Sequence, residues 1–364
     1  TFGQGAGCAA DLQYWEQTAR QIRRCAAGDK IVVEKSTLPV RTAAAMTRIL
    51  GSGDSRAHFE VLSNPEFLAE GTAIADLGSP DRVLIGGNDT PAGRAAVAEL
   101  VALYSAWVPR ERILTANVWS SELSKLAANA FLAQRVSSIN AISEICEATE
   151  ADVTEVARAV GMDSRIGAKF LKAGVGFGGS CFKKDILNLV YLCESYGLKA
   201  AADYWRQVVD FNNHQQERFV ARMLRAMFNT VAGKRLALLG FAFKADTGDT
   251  RESPAIRIAS LLAEERAVVV VNDPQALDNA RRDLSACADR IVFEADPYRA
   301  VQDADALALL TDWRLYRELD YARIFAAMRK PAFVFDGRNA LDHEALSRLG
   351  FNVYAVGKSP RTNA

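Results

Sequence analysis

The sequence predicts an α/β fold with two doubly wound domains joined by a central helical segment. Short apolar strands alternate with helical stretches over residues 1–117, and the same rhythm returns after Lys234, whereas residues 119–215 are helical. This alternation is typical of sheets covered by helices on both faces. A chain of 364 residues also exceeds the size of one ordinary domain. We therefore expect three parts, at 1–117, 118–228 and 229–364.

The first part is expected to form a parallel sheet with helices around it. Its predicted elements are helices at 12–24, 40–50 and 91–104 and strands at 30–34, 59–62 and 82–86. Each predicted strand is a short apolar run, such as KIVVE at 30–34. We interpret this part as the first of the two doubly wound domains.

The central part begins with a long helix at 120–150, where two serines and Glu122 suit a helix start. After it, the strand–helix rhythm returns, with short apolar strands predicted at 235–240, 267–271, 306–310, 332–335 and 351–356. These strands predict a second Rossmann-like, doubly wound domain.

The composition argues against several classes of function. Basic and acidic residues are equal in number, at 44 each, so we expect no nucleic-acid partner and no binding to an anionic membrane. No apolar run approaches the length of a membrane helix, and the amino terminus does not resemble a signal peptide. The six cysteines form no C-x-x-C pair and the three histidines lie far apart, so we expect no metal site and a reducing, cytoplasmic location. Acid–base chemistry then falls to carboxylates, lysines or a thiol.

The segment GVGFGGSCFKKD at 174–185 contains the spacing G-x-G-x-x-G, yet no strand is predicted before it, as a dinucleotide site requires. A helix is predicted after it, with Ser180 as its N-cap. Cys181 would then lie at a helix amino terminus beside two lysines, which favours the nucleophilic thiolate. Asp185, one turn later, would orient or deprotonate a water. The alternative is a buried structural cysteine after a flexible turn.

Two further pairs of residues are candidates for chemistry. Lys125 and Asn129 stand four residues apart and present a cation and an amide on one helix face. The alternative is a solvated lysine and a surface amide. Glu66 and Glu70 follow a strand, at the carboxyl end of the sheet where ligands of open α/β folds bind. Exposed glutamates are common, so a surface role is the alternative here too.

Polar loops follow two other strands. Ser36 and Thr37 join a strand to a helix, and either hydroxyl is suited to cap that helix. Lys244 and Arg251 lie at the expected switch point of the last domain, where they suit a phosphorylated ligand. An ion-paired surface loop with two neighbouring aspartates is the alternative.

Six segments together resemble one family: EKSTLPV, SNPEFLAEGTA, ELSKLAANAFLAQR, GVGFGGSCFKKD, GFAFKADTGDTRES and FDGRNAL. The chain is similar, over nearly its whole length, to the UDP-glucose 6-dehydrogenase family of nucleotide-sugar dehydrogenases, which oxidise a primary alcohol twice to a carboxylate with NAD. Family members begin with an additional βαβ segment that carries the G-x-G-x-x-G for NAD. We expect this chain to lack that segment, because the glycines at 3–7 follow no strand.

The resemblance implies roles for individual residues. Cys181 matches the nucleophile that forms a thiohemiacetal and then a thioester, and Lys125 and Asn129 match the groups that stabilise the oxyanion. Asp185, Glu66 and Thr37 match the groups that handle protons and water. The implied contacts to NAD are Ser36, Thr37, Glu70, Cys181, Lys184 and Arg251. The implied contacts to the nucleotide sugar are Glu66, Phe67, Leu68, Lys125, Asn129, Arg165, Phe170, Lys172, Gly178, Phe182, Lys244 and Arg338, with Arg165 reaching in from a neighbouring subunit.

The resemblance therefore implies NAD-dependent oxidation of UDP-glucose to UDP-glucuronate by a homo-oligomer, a dimer or an assembly of dimers. The glycines of 174–179 would let the backbone approach sugar and cofactor around the thiol. One alternative is another nucleotide-sugar 6-dehydrogenase, of the GDP-mannose type. A second is a catalytically inactive fragment that binds nucleotide sugar, if the glycine segment for NAD is missing.

Overall fold

A computed structural model of the chain describes residues 12–52, 57–68 and 70–363, so the glycines at 3–7 lie outside the described residues. The chain divides into two compact units. The first unit contains Thr1–Phe131 and Lys184–Arg206, and the second contains Leu132–Lys183 and Gln207–Ala364. The mixed α/β architecture confirms the predicted fold class.

The first sheet has four strands in the order β1-β2-β3-β4. They are β1 (Lys30–Glu34), β2 (Phe59–Ser63), β3 (Val83–Gly87) and β4 (Ile113–Asn117). The helices of this region are α1 (Gln13–Cys25), α2 (Thr42–Leu50), α3 (Ala73–Gly78) and α4 (Pro91–Tyr104). The sequence missed β4 because its residues are mostly exposed, so it lacks the apolar run by which the other strands were recognised.

The expectation of a wholly parallel first sheet is wrong. The pairs β1–β2 and β3–β4 are parallel, but β2 and β3 are antiparallel and meet at Ser63 and Gly86. A parallel connection needs a crossover, usually a helix packed on the sheet. The helix between β2 and β3 is the six-residue α3, which has no buried residue, so it does not act as a crossover helix.

The central region is helical, as predicted. Its helices are α5 (Val118–Thr149), α6 (Val153–Gly161), α7 (Phe182–Ser195) and α8 (Lys199–Ala226). The start of α5 differs from the prediction, because Asn117 Oδ1 accepts a hydrogen bond of 2.8 Å from the backbone N–H of Ser120. Asn117 is therefore the cap of this helix. At α7, the residue that directly precedes the helix is Cys181 and not Ser180.

The second sheet has six strands, all parallel, in the order β10-β9-β8-β5-β6-β7. They are β5 (Arg235–Leu239), β6 (Val268–Asn272), β7 (Ile291–Phe293), β8 (Ala306–Leu309), β9 (Phe333–Asp336) and β10 (Asn352–Ala355). The helices around it are α9 (Pro254–Glu264), α10 (Leu277–Asp283), α11 (Pro297–Ala300), α12 (Arg314–Arg317), α13 (Tyr321–Ala327) and α14 (His343–Leu349). The strand order reverses between β5 and β8, which confirms a doubly wound domain with its switch point there.

The inner strands of the second sheet form the largest apolar core, because both of their faces are covered by helices. Smaller apolar clusters lie on the first sheet, around Leu62 and Ile85 and around Leu50 and Val61. Across the described part of the chain, no helix combines the length and the apolar character needed to cross a bilayer.

Candidate active site

A polar cluster in the first unit, buried at Lys125, Asn129 and Asp185, contains five of the predicted site residues. It consists of Glu66, Lys125, Asn129, Lys184 and Asp185, and we call it the Asp185 cluster. Asn129 Nδ2 donates a 2.6 Å hydrogen bond to Asp185 Oδ2, and Lys184 Nζ lies 3.8 Å from Asp185 Oδ1. Lys125 and Asn129 are 5 % and 6 % exposed, so the surface alternative for this pair is wrong.

Burial dominates the electrostatics of Asp185, whose side chain is almost completely inaccessible. Desolvation raises the pKa of its carboxyl group, and the nearby Glu66 carboxylate raises it further. The hydrogen bond from Asn129 and the positive charges of Lys184 and Lys125 lower this pKa, but by less. Among the described residues, Asp185 Oδ1 has no hydrogen-bond partner. The cluster thus offers a carboxyl group with a raised pKa and one oxygen that accepts no hydrogen bond, as a proton-transfer site requires.

The loop after β2 carries the glutamates and Phe67. Glu66 Oε2 accepts a 2.8 Å hydrogen bond from the backbone N–H of Leu68, which fixes the turn. Two cations lie over the Phe67 ring, with Arg82 Cζ at 3.7 Å and Lys125 Nζ at 5.3 Å from its centroid. Glu70 is exposed. Phe67 therefore links this loop to the lysine of the Asp185 cluster.

The loop after β1 carries Ser36, which is exposed, and Thr37, which is half-buried. The expectation that one of them caps α2 is wrong. The α2 helix begins at Thr42, and the Glu122 carboxylate accepts hydrogen bonds from the backbone N–H groups at its start. Both hydroxyl residues are thus left at the carboxyl end of β1, where ligands of α/β sheets bind.

In the second unit, residues 174–179 form the glycine loop, which three buried amides hold in place. Asn212 accepts from the backbone N–H of Phe177 at 2.8 Å and donates to its carbonyl at 3.0 Å. Gln215 Nε2 donates to the Gly174 carbonyl at 2.7 Å, and Asn140 Oδ1 accepts from the Gly174 N–H at 2.9 Å. Sequence reasoning missed all three amides. The signal that could have identified them in the sequence is an amide side chain at a helix position that the periodicity assigns to the apolar face.

Two glycines of this loop are required by close packing. Gly176 has φ +111°, and a Cβ there would lie 2.6 Å from Asn212 Oδ1. A Cβ on Gly178 would lie 2.6 Å from the Glu252 carbonyl oxygen. The observed neighbours of these glycines are protein groups, so the approach of sugar and cofactor to the loop stays a prediction.

Cys181 follows the glycine loop and is exposed, so the alternative of a buried structural cysteine is wrong. Its Sγ lies 3.6 Å from Ser180 Oγ. Of the two lysines expected to favour the thiolate, Lys183 is paired with Glu252 at 2.8 Å, and Lys184 faces Asp185. Both lysines that follow the thiol in sequence thus have acidic partners.

Arg338 follows β9, next to the switch point of the second sheet. Its Nε donates to the Leu310 carbonyl at 2.5 Å, and its terminal nitrogens donate to the carbonyls of Gly176 and Phe243 at 3.4 and 3.3 Å. Burial lowers the pKa of Arg338, while Asp312 and Asp336 oppose that shift. Arg338 thus ties the glycine loop to the switch point.

The other predicted contacts to nucleotide sugar and cofactor in the second unit already have partners within the protein. These are Lys172 with Asp312 at 2.7 Å, Arg165 with Asp163 at 2.7 Å, Arg251 with Asp249 at 2.5 Å, Lys244 over the Phe243 ring at 5.5 Å, and Phe170 against Phe182 at 6.3 Å between ring centroids. The ion pair at Arg251 agrees with the surface-loop alternative for that residue. Within residues 12–52, 57–68 and 70–363, no group of three His, Cys, Asp or Glu side chains is arranged to hold a metal ion.

Two α/β sheets with polar loops at the carboxyl ends of their strands define a nucleotide-binding α/β protein. The sequence matches three domains of one family: the UDP-glucose/GDP-mannose dehydrogenase family NAD binding domain over residues 3–108, its central domain over 119–214 and its UDP binding domain over 237–343. The chain therefore belongs to the UDP-glucose/GDP-mannose dehydrogenase family.

Individual relatives agree with this assignment. UDP-glucose 6-dehydrogenase 2 of Oryza sativa subsp. japonica is 57 % identical over 378 residues, a match that covers 98 % of this chain and 78 % of the relative. UDP-glucose 6-dehydrogenase 1 of Arabidopsis thaliana is 55 % identical with the same coverage. The solved structure of a UDP-glucose dehydrogenase from the archaeon Pyrobaculum islandicum superposes with a TM-score of 0.86 at 33 % identity, over 98 % of this chain and 78 % of that one.

Proposed function

We propose that this protein is an NAD-dependent UDP-glucose 6-dehydrogenase, which converts UDP-glucose, two NAD and water to UDP-glucuronate and two NADH. The observation that carries the proposal is the buried Asp185 cluster, because it combines a carboxyl group of raised pKa with an amide and an ammonium group. Relatives 55–58 % identical are UDP-glucose 6-dehydrogenases. The matched NAD binding domain favours this activity over a fragment that only binds nucleotide sugar.

The Asp185 cluster supplies the proton chemistry. Removal of the C6 hydroxyl proton leaves a developing negative charge on oxygen, which the Lys125 ammonium group and the Asn129 amide stabilise. Asp185 holds a water through its free oxygen and takes a proton from it when that water attacks in the last step. Glu66 and Thr37 assist the transfer of protons and the positioning of water.

Cys181 supplies the nucleophile. Its thiolate attacks the aldehyde carbon, and protonation of the oxygen gives a thiohemiacetal. Loss of the hydroxyl proton together with hydride from the same carbon then gives a thioester. Water then attacks the thioester, the C–S bond breaks, and the carboxylate product leaves with the thiol restored. The exposed position of Cys181 directly before α7 suits this role, because the sulfur is accessible to substrate.

NAD, when bound, would supply the hydride acceptor for both oxidation steps. The hydroxyl groups of Ser36 and Thr37, at the carboxyl end of β1, fit the ribose hydroxyls and carboxamide of this cofactor, because they both donate and accept hydrogen bonds. We assign Glu70, Lys184, Cys181 and Arg251 to the same cofactor as further contacts.

The UDP binding domain would hold the nucleotide sugar. Lys244 and Arg338 lie at the switch point and would face its diphosphate, while Gly178, Phe170 and Phe182 would line the sugar. The remaining assigned contacts are Glu66, Phe67, Leu68, Lys125, Asn129, Lys172 and, from a neighbouring subunit, Arg165. Because Arg338 also holds the glycine loop, its loss would weaken both the loop and the binding of substrate.

A homo-oligomer and a cytoplasmic location complete the proposal. Trp119, Leu123 and Phe131 are exposed on α5 at spacings of four and eight residues, so they lie along one side of that helix. Exposed apolar side chains of this size favour burial against a second copy of the chain. The described cysteines are all free, which agrees with a reducing compartment.

The test is the variant Cys181→Ser, assayed by NADH formation from UDP-glucose, with GDP-mannose as the competing substrate. We expect turnover to fall by more than the roughly 10²–10⁴-fold typical of one acid–base group, since the covalent intermediate depends on sulfur. Cys25→Ser, which changes an exposed cysteine on α1, is the matched control and is expected to retain activity. Turnover of Cys181→Ser within tenfold of the parent would exclude the thioester, and a preference for GDP-mannose would change the assigned substrate.

A further inference from the structure

Glu122, on α5, joins that helix to the start of α2. Its Oε2 accepts a 2.7 Å hydrogen bond from the backbone N–H of Arg41, and its Oε1 accepts a 2.8 Å hydrogen bond from that of Ala43. The side chain is 5 % exposed. The first N–H groups of a helix have no partner within it, and a carboxylate is the strongest acceptor that a side chain offers them. Glu122 therefore caps α2 from a different helix.

Further contacts hold the loop at residues 35–41, which leads from β1 to α2. At its end, the Arg41 guanidinium lies over the rings of Trp119 and Tyr196, at 5.6 and 5.5 Å from their centroids. Arg41 has a positive φ of 77°, a conformation that costs a non-glycine residue energy. At its beginning, Lys35 Nζ donates to Asn64 Oδ1 and to Tyr104 Oη, both at 3.1 Å. The loop is thus anchored at both ends, and Ser36 and Thr37 lie between the anchors.

The anchor residue also belongs to the helix that carries two groups of the Asp185 cluster. Lys125 and Asn129 follow Glu122 on α5 by three and seven residues, so all three lie on the same side of the helix. This side is buried. A shift of the 35–41 loop relative to α5 would therefore change the distance between Thr37 and the Lys125 and Asn129 side chains.

We propose that Glu122 is a positioning residue, whose carboxylate holds the 35–41 loop, with Ser36 and Thr37, in a fixed relation to Lys125 and Asn129. The inference rests on the proposed function for the roles of those four residues. In the described part of the chain, the Glu122 carboxylate accepts hydrogen bonds from the backbone N–H groups of Arg41 and Ala43, which have no assigned role in the chemistry. Its effect on the reaction would be geometric, and misplacement of a reacting group by about 1 Å costs on the order of 10²-fold in rate.

The carboxylate is needed in this place because it accepts at both oxygens. In Glu122→Gln one end of the side chain is an amide NH₂, which donates and does not accept, so one of the two backbone N–H groups loses its partner. Glu122→Ala removes both bonds. The glutamine variant keeps the volume of the side chain, so it tests the hydrogen bonds with little effect on packing.

The first measurement is hydrogen exchange by mass spectrometry on the protein without ligands, for Glu122→Gln and for Glu99→Gln as control. Glu99 is an exposed glutamate on α4 of the same unit and undergoes the same chemical change. We expect amides of residues 35–46 to exchange at least fivefold faster in Glu122→Gln only, with those of Val83–Gly87 unchanged. Equal exchange at 35–46 in both variants, or equal acceleration at Val83–Gly87, would overturn the inference.

The second measurement is steady-state kinetics of the same variants and Glu122→Ala. We expect kcat to fall by about 10- to 100-fold in Glu122→Gln and further in Glu122→Ala, while KM for UDP-glucose changes less than twofold. Because a smaller folded fraction would also lower the apparent kcat at an unchanged KM, kcat is expressed per folded molecule, with the folded fraction of each variant measured by circular dichroism. Faster exchange at 35–46 with an unchanged kcat would overturn the positioning role. A parent protein that forms no NADH from UDP-glucose would instead contradict the proposed function, and the exchange data would still test whether Glu122 holds the loop.

Discussion

Glu34, the last residue of β1, is a buried carboxyl group that we expect to make stability depend on pH. The side chain is 6 % exposed, and neither of its oxygens has a hydrogen-bond partner in the part of the chain that the structure describes. Burial raises the pKa of Glu34 from 4.5 to about 8; the nearby Glu122 carboxylate adds to the rise, and the Trp15 indole opposes it. Glu34 is therefore protonated in the folded protein at pH 7. The variant Glu34→Gln keeps the shape of the neutral acid and cannot ionise.

The sign and size of the effect follow from the two pKa values. Between about pH 5.5 and 7 the folded protein holds a proton on Glu34 that the unfolded chain has lost, so the free energy of unfolding falls by about 1.4 kcal/mol per pH unit. This contribution is fully present below pH 4.5 and is lost as pH rises through about 8. From pH 4.5 to 7 it amounts to roughly 3 kcal/mol. The buried amide of Glu34→Gln has its own desolvation cost, but that cost does not vary with pH.

Hydrogen exchange resolved to β1 and α2 is the suitable assay, because a chain with two compact units need not unfold in a single transition. Opening free energies are measured from pH 5.5 to 7 after correction for intrinsic exchange rates. We expect the parent to lose about 1.4 kcal/mol per pH unit more than Glu34→Gln. Glu99→Gln, an exposed glutamate on α4, is the control and should keep the slope of the parent. Equal slopes in the parent and in Glu34→Gln would show that Glu34 is not protonated in the folded state.

Two other variants test the second unit. Asn212→Ala removes two hydrogen bonds to Phe177, each worth about 0.5–1.5 kcal/mol. We therefore expect faster hydrogen exchange in the glycine loop and weaker binding of UDP-glucose, measured by calorimetry. Asn213→Ala on the same helix is the control, and equal affinities of the two variants for UDP-glucose would contradict the role of Asn212. For Asp336, burial raises the pKa of its carboxyl group, but His343 and backbone N–H groups lower it more, so the net pKa is depressed. The stability it contributes is present above the unfolded pKa and is lost as pH falls through the folded one. We expect Asp336→Asn to lower the opening free energy of strands β8 and β9 at pH 7 by about 1–3 kcal/mol and to weaken its acid dependence, as measured by hydrogen exchange. The exposed control Asp303→Asn should change neither quantity. Equal opening free energies for Asp336→Asn and the parent would contradict this account.

The sequence by itself determined the fold class and the places where chemistry is possible. A short run of consecutive apolar residues between helical segments indicates a strand that is buried on both faces. Such runs are enough to identify the strands β5, β6 and β8. Polar segments that follow a strand must lie at its carboxyl end, so the strand pattern alone is enough to place Ser36, Glu66 and Lys244 correctly. The local pattern did not predict the mostly exposed strand β4, and it did not predict that β3 runs antiparallel to β2.

Only the tertiary structure decided which of those groups lie close together and how burial shifts their pKa values. Asn129 and Asp185 are 56 positions apart, and their hydrogen bond depends on the packing of two helices. Glu122 has the residue type and position of an ordinary helix start, yet its carboxylate caps another helix because α5 passes the amino end of α2. The pKa of Glu34 rises because residues distant in sequence exclude water from it. Hydrogen-bond partners and desolvation depend on distances in space, whereas periodicity along a chain reports only which face of an element is apolar.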